Sequence, residues 1–236
     1  MSEPRVSVVI PAYNDAELLE KCLAALGAQT RPADEVIVVD NASTDATAAV
    51  ARNAGARVLS EPVRGITRAT ALGFDAATGD VIARLDADSR PPADWIERVL
   101  ALLEQSGASV VTGPGSFYDG GRIANSLGRH IYIGGYFWFT GLLLGHSPFW
   151  ASNCALRAET WRGIRHRVHR DRRAFHDDLD MSFQLTTDMR VRYEKTLVMP
   201  VSARPFESAG ALLRRIGWAA PTIWVNVRER LSRRSR

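Results

Sequence analysis

The sequence predicts an α/β fold: a mainly parallel sheet flanked by helices, followed by a C-terminal amphipathic helical tail. Two observations carry that expectation. Short β-branched runs alternate with helix-period patterns as far as Gly115, the signature of parallel strands joined through crossover helices. In addition, 236 residues that are 46% hydrophobic and 24% charged are long enough for one large core and too apolar for a disordered chain. The strand runs are Val6 to Ile10, Val36 to Asp40, Arg57 to Ser60, Val81 to Asp86 and Ser109 to Thr112. Between the first two, Ala16 to Ala28 sets Leu18, Leu19, Cys22, Leu23 and Leu26 on one helical face. Thr44 to Ala54 reads as the second helix, opened by Ser43, Thr44 and Asp45, residues suited to capping. Ile66 to Ala77 and Asp94 to Gln105 fill the same role, the latter entered through Pro91-Pro92 and closed near Gly107.

After Gly115 the alternation stops. A Gly- and aromatic-rich stretch to Trp150 reads as the variable substrate-binding region, Asn153 to Leu156 as extended chain, and a helix is expected from near Asp177 carrying Leu179, Met181, Phe183 and Leu185. A strand follows around Val191 to Leu197. From Ile131 to Ala155 there is no charged residue, but Gly134, Gly135, Gly141, Gly145 and Pro148 interrupt the run. A buried wall or a membrane-dipping surface fits it better than a span. From Arg204 onward, eight arginines against two glutamates give the tail a net charge of +6, above the +4 of the whole chain. Leu212, Leu213, Ile216, Ile223, Trp224, Val227 and Leu231 form a stripe interrupted by Pro221, which reads either as an interfacial helix pair or as a helix packed on its own domain. The organisation expected is one domain over 1–203 and the basic amphipathic helical tail over 204–236. Cys22 and Cys154, in apolar surroundings and without Cys-x-x-Cys spacing, read as reduced core thiols. With no signal-peptide pattern at the N-terminus, a cytoplasmic location is expected, with peripheral contact to the inner face of the plasma membrane.

The chemistry concentrates in carboxylates. Asp86-Ala87-Asp88 follows an apolar strand, where a parallel sheet opens its ligand crevice. Two close carboxylates repel unless a cation intervenes, and oxygen ligands suit Mg²⁺ or Mn²⁺ carried with a diphosphate. Asp40 ends the second strand run and is placed either to accept from a base or ribose or to cap the next helix. Asp177, Asp178 and Asp180 open the late helix, where its dipole favours acids, so one or two of them are read as structural. Six arginines between Arg162 and Arg173, with His166 and His169, form a basic loop before His176.

In order along the chain, Val8-Val9-Ile10-Pro11-Ala12-Tyr13-Asn14, then Val38 to Asp45 (VVDNASTD), Arg84 to Ser89 (RLDADS) and His176 to Asp180 (HDDLD) resemble an inverting family 2 glycosyltransferase of GT-A fold. The likeness runs from about Val6 to about Leu185 and takes in Gly65-x-x-x-Ala69-x-x-x-Gly73, Ala77-x-Gly79-Asp80 and Asn153 to Arg157. It implies a nucleotide-diphosphate sugar held by Pro11, Ala12, Tyr13 and Asp40, with Asp86 on ribose or metal, Asp88 on Mg²⁺ or Mn²⁺, and Asp178 beside Asp177 as general base. Where the family often has Arg-Asn, this chain has Thr70-Ala71, with Arg64 and Arg68 nearby, so Arg68 is the candidate for the diphosphate. The usual Glu-Asp pair is here Asp177-Asp178, and no Gln-x-x-Arg-Trp is present, which disfavours processive synthesis.

The implied partners are a nucleotide sugar and a glycan or lipid acceptor of the cell envelope; nucleic acid is not expected. A dehydrogenase is disfavoured because Pro11-Ala12-Tyr13-Asn14 replaces a glycine cradle. A haloacid-dehalogenase-type phosphatase would carry its Asp-x-Asp on the first strand. A noncatalytic GT-A-like scaffold that binds membrane or a partner through its tail is the remaining alternative.

Overall fold

The computed structural model describes residues 3–119, 134–204 and 209–234. Nine strands and eight helices are found among them. The strands are β1 (Val6–Ala12), β2 (Glu35–Asp40), β3 (Arg57–Ser60), β4 (Val81–Arg84), β5 (Val110–Thr112), β6 (Gly115–Phe117), β7 (Cys154–Arg157), β8 (Val191–Tyr193) and β9 (Met199–Val201). The helices are α1 (Ala16–Gly27), α2 (Thr47–Asn53), α3 (Ile66–Ala76), α4 (Trp95–Ser106), α5 (Gly134–Leu144), α6 (Ala158–Ile164), α7 (Asp177–Gln184) and α8 (Ala209–Arg234).

Seven strands form one sheet in the order β3-β2-β1-β4-β7-β5-β8, with β6 and β9 in a separate parallel pair. The first four strands are parallel, with Ala12 opposite Asp40 and Val9 opposite Arg84. β7 runs antiparallel to both β4 and β5, because it enters the sheet from the same edge at which β4 ends. Alternate residues of β1 face opposite layers. Val6, Val8 and Ile10 meet α1 and α4 on one side, and Val9 meets α3 and α6 on the other. α3 lies close because Gly73 has no side chain: a Cβ there would stand 2.4 Å from Val9 Cγ1. Cys22 and Cys154 are buried free thiols, and burial pushes both well above the ordinary thiol range.

Several boundaries differ from expectation. α2 starts at Thr47; Ser43 and Asp45 tie down the loop before it, where Ser43 Oγ accepts the Asn14 N–H at 3.0 Å and Asp45 Oδ2 the Ala16 N–H at 3.2 Å, while Asp45 Oδ1 accepts the Thr47 N–H at 2.9 Å at the helix start. β4 stops at Arg84, and Asp86 enters a turn in which its carbonyl accepts the Ser89 N–H. β8 is confined to Val191–Tyr193. The tail is one helix and not a pair. Pro221 costs it a single backbone bond, and the helix continues because Thr222 and Asn226 are buried against the domain and hydrogen-bonded. Part of the expected substrate-binding stretch, residues 120–133, lies outside the described residues, as do 205–208 and 235–236 of the tail.

Candidate active site

The carboxyl edges of β1, β2 and β4 open on one side of the sheet. Pro11 and Ala12 end β1, buried, and the Asn41 N–H donates to the Ala12 carbonyl at 2.9 Å, holding the two strand ends together. Asp40 ends β2, with Oδ1 accepting the Ser43 N–H at 3.1 Å; it closes this loop and does not cap α2. Asn41 Nδ2 donates to the carbonyls of Glu61 and Val63, and its Oδ1 accepts the Gly65 N–H, so one amide fixes the loop into α3. Over Tyr13 lies the Arg64 guanidinium, 3.6 Å from the ring centre. Asn14 and Ala42 have left-handed φ of 49° and 63°. Asn14 offsets that strain through its side-chain carbonyl, which accepts the Thr44 N–H at 2.8 Å.

Beside this rim, Asp86 is held from two directions. Arg84 Nη1 lies 2.6 Å from Asp86 Oδ1, and Ser152 Oγ donates to Asp86 Oδ2. Ser152 sits in a 3₁₀ turn, Ala151–Asn153, at the entry to β7. The same turn reaches the other acids, since the Ala151 N–H donates to Asp178 Oδ2 at 3.3 Å. The second fork of Arg84, Nη2, meets Asp177 Oδ2 at 3.0 Å, and Thr70 Oγ1 donates to that oxygen at 2.6 Å. Arg84 is fully buried. Burial works against its charge, but Asp177 and Asp86 outweigh it and hold the guanidinium above the ordinary arginine range.

Asp178 is buried at the start of α7, its Oδ1 accepting the Leu179 N–H at 2.7 Å. Burial, and then the charge of Asp177, push its carboxyl above the usual range, against the opposing influence of His176, Arg84 and the Ala151 N–H. That is the direction a general base requires. Asp88 is nearly buried, paired through Oδ2 with Arg204 Nη2 at 3.1 Å, while its carbonyl accepts from the Tyr118 hydroxyl at 3.2 Å.

Residues 7–173 match the model of the family described as Glycosyl transferase family 2. The chain belongs to that family. Among curated relatives, glycosyltransferase AglE of Haloferax volcanii is 36% identical over 130 residues, covering 51% of this chain and 43% of that protein. The undecaprenyl-phosphate 4-deoxy-4-formamido-L-arabinose transferase of Serratia proteamaculans is 37% identical, covering 43% of this chain and 34% of the relative. These alignments thus span less than half the length of either relative. A solved mannosyltransferase, PcManGT of Pyrobaculum calidifontis in complex with GDP-Man and Mn²⁺, matches in fold with a TM-score of 0.69 at 22% identity, covering 91% of this chain and 61% of that one.

In this family 2 chain, Asp86, Asp177 and Asp178 are drawn together through Arg84 and the 151–153 turn, and Asp88 stands two residues from Asp86. Pro11, Ala12, Tyr13 and Asp40 share the carboxyl edge of the sheet. Arg68 has another partner: its guanidinium meets Asp171 of the basic loop. That loop is largely engaged. Arg165 and Arg170 pair with Asp75, and Arg167 donates to the Gln184 carbonyl. Asp180 is structural, accepting from His169 and Asn226. His176 donates its backbone N–H to Thr222. Trp161 packs on Phe74, and Trp150 lies where a Cβ on Gly115 would be, 1.9 Å away. Residue types and spacing did not single out Arg84, Ser152 or Arg204. An arginine inside the apolar run Val81 to Leu85 was the available signal, because a buried charge demands partners.

Proposed function

We propose that the protein transfers a sugar from a nucleotide-diphosphate donor to a hydroxyl of an envelope lipid or glycan, with inversion. The observation that supports this best is the Asp86–Arg84–Asp177 bridge, which puts the Asp-x-Asp turn and the acid pair of α7 within one guanidinium of each other. In this reading Pro11, Ala12, Tyr13 and Asp40 receive the base and ribose, with Asp86 beside them, and Arg68 would reach the diphosphate only by leaving Asp171. Asp88 and Asp86 offer oxygen donors suited to Mg²⁺ or Mn²⁺, and the pairing of Asp88 with a guanidinium fits a carboxylate that takes a cation. When bound, the metal neutralises charge on the departing diphosphate. Asp178 takes the proton of the acceptor hydroxyl as its oxygen bonds to the anomeric carbon and the bond from that carbon to the diphosphate oxygen breaks. Asp177, held by Arg84 and Thr70, positions its neighbour.

Family membership, together with relatives named as transferases, favours this over a noncatalytic scaffold, which would release no nucleotide from any donor. No helix among the described residues is long and apolar enough to cross a membrane. Exposed Trp138, Phe139, Leu142 and Trp224 with the basic tail support peripheral contact with an anionic membrane face, on the cytoplasmic side. The deciding experiment is nucleotide release from a panel of nucleotide sugars with Mn²⁺. Asp88→Ala and Asp178→Ala are each expected to reduce transfer about a thousandfold with melting temperature within a few degrees of wild type. Wild-type rates in both would overturn the site. A lipid phosphate acceptor is already anionic, so undiminished transfer to it by Asp178→Ala would replace the hydroxyl acceptor with a phosphate.

A further inference from the structure

The β6–β9 pair stands apart from the main sheet, and its consequence is the placement of Arg204. Gly115 pairs with Met199 and Phe117 with Val201, so the two strands leave the ladder side by side. At the exit of β6, Asp119 accepts from Ser202 Oγ and from the Ala203 N–H, both at 2.6 Å, fixing the chain immediately before Arg204. Tyr118, next to Asp119, donates to the Asp88 carbonyl. From this anchored base the guanidinium reaches two carboxylates on different loops: Asp88 Oδ2 through Nη2 at 3.1 Å, and Asp15 Oδ1 through Nη1 at 2.5 Å. The carboxylates of Asp88 and Asp15 are largely buried, at 11% and 17% exposure, whereas the Arg204 side chain is 39% exposed.

We propose that Arg204 is a tethered counter-cation of the Asp-x-Asp site, which neutralises Asp88 and Asp15 when no donor is present, competes there with a divalent cation, and passes to the donor's diphosphate when that cation arrives. The inference rests on the reading of Asp88 as the metal-binding carboxylate. A guanidinium fork suits phosphate oxygens as well as carboxylates, and a group held on an anchored turn acts at high effective concentration. A metal ion arriving alone would displace Arg204 from Asp88 and leave it Asp15 as its one remaining carboxylate of the two. Arriving with a diphosphate, it brings both its own remaining oxygen ligands and a new anion for Arg204. Metal and donor therefore bind as a pair, and the metal-free site does not hold its carboxylates uncompensated.

The test is Mn²⁺ titration of the full chain, followed by the electron paramagnetic resonance of free Mn²⁺, with and without UDP or GDP. Arg204→Gln is expected to bind Mn²⁺ alone about fivefold more tightly than wild type, the scale of one partly exposed ion pair, and to bind UDP or GDP with Mn²⁺ at least about fivefold more weakly. Arg90→Gln, which removes a nearby cation stacked on Tyr118, controls for general charge. A rise in Mn²⁺ affinity no larger in Arg204→Gln than in Arg90→Gln overturns the proposal while leaving the metal site standing. Mn²⁺ bound by none of these proteins, with or without nucleotide, overturns the metal site and the proposal with it. Arg204→Lys keeps a cation but loses the fork; if the glutamine variant does not fold, binding of UDP or GDP with Mn²⁺ by the lysine variant no weaker than by wild type overturns the proposal equally.

Discussion

At the scale of single residues, Arg84 decides the electrostatics of the site. It leaves β4 on the face opposite Ala83 and carries a charge with no water around it, offset by Asp86 on one fork and Asp177 on the other. Its Nε has no hydrogen-bond partner among the described residues, so the two ion pairs compensate a real desolvation cost. Truncation is correspondingly severe. Arg84→Met is expected to lower stability by about 3–5 kcal/mol, because Asp177 is left buried and uncompensated. Adding Asp177→Asn to it is expected to recover part of that loss, a coupling of about 1–2 kcal/mol in a double-mutant cycle. Additive losses in urea melts would show that the bridge carries no such energy. This residue also marks where sequence reasoning stopped. Asp86, Asp88, Asp177 and Asp178 stood out because acids at strand and helix ends are exposed to interpretation by position alone. Arg84 sits inside an apolar strand, and only the packing of α7 against that strand reveals what it faces. The strand run expected to reach Asp86 stops at Arg84, and the turn closed by Ser89 holds Asp86.

At the scale of elements, the helices and parallel strands before Gly115 were legible because each carries its own periodicity. The antiparallel insertion of β7 was not, since direction depends on how the preceding chain returns to the sheet. Nor were the polar bonds between α7 and α8, which accompany the apolar packing of Leu179 and Phe183 on Ile223 and Val227: Asn226 Nδ2 donates to Asp180 Oδ1 at 2.8 Å, and Gln184 Nε2 to Asn226 Oδ1 at 2.6 Å. His169 closes the contact. Its Nδ1 lies 2.7 Å from Asp180 Oδ1 and its Nε2 3.0 Å from Glu229 Oε1, with Phe175 edge-on to the ring. The hydrogen bond donated to Asp180, aided by Glu229 and opposed by burial, raises the imidazole from 6.5 to about 9. Because the folded value lies above the unfolded one, the protonated ring stabilises the fold fully below pH 6.5, and that contribution disappears as pH rises through about 9. His169→Gln is expected to cost about 2–3 kcal/mol in acid solution, with the gap to wild type narrowing steadily in alkali. A gap that does not change with pH would show the ring to be neutral in the folded protein. Through α7 the same contact supports the backbone that carries Asp178, so the tail helix braces the element that holds the proposed base.

At the scale of the whole molecule, the +6 carried from Arg204 onward leaves the remainder of the chain net acidic, and the apolar surface is divided between two helices. α5 is anchored by Tyr136, whose hydroxyl donates to the Phe149 carbonyl, and by Thr140 and Leu144, which are buried. Its other face presents Trp138 at 72% exposure and Leu142 at 74%. α8 buries Thr222 and Asn226 and turns out Leu213, Trp224 and Leu231. The two helices are neighbours, since Leu144 shares a cluster with Ile223 and Val227 around Leu179 and Phe183. One face of the tail helix is packed on the domain, the second of the two readings of the tail, and its other face is open. Aromatic and aliphatic groups beside arginines are the composition of a surface that seats in the headgroup layer of an anionic bilayer. Sedimentation with vesicles containing an anionic lipid should bring the chain down at low salt and release much of it at high salt. Trp138→Ser with Leu142→Ser should weaken that binding about tenfold or more, because both side chains lie outside the core and lose only the surface they would have inserted. Equal sedimentation of this pair and wild type, or none of either, would separate the exposed faces from any membrane and leave them to a protein partner.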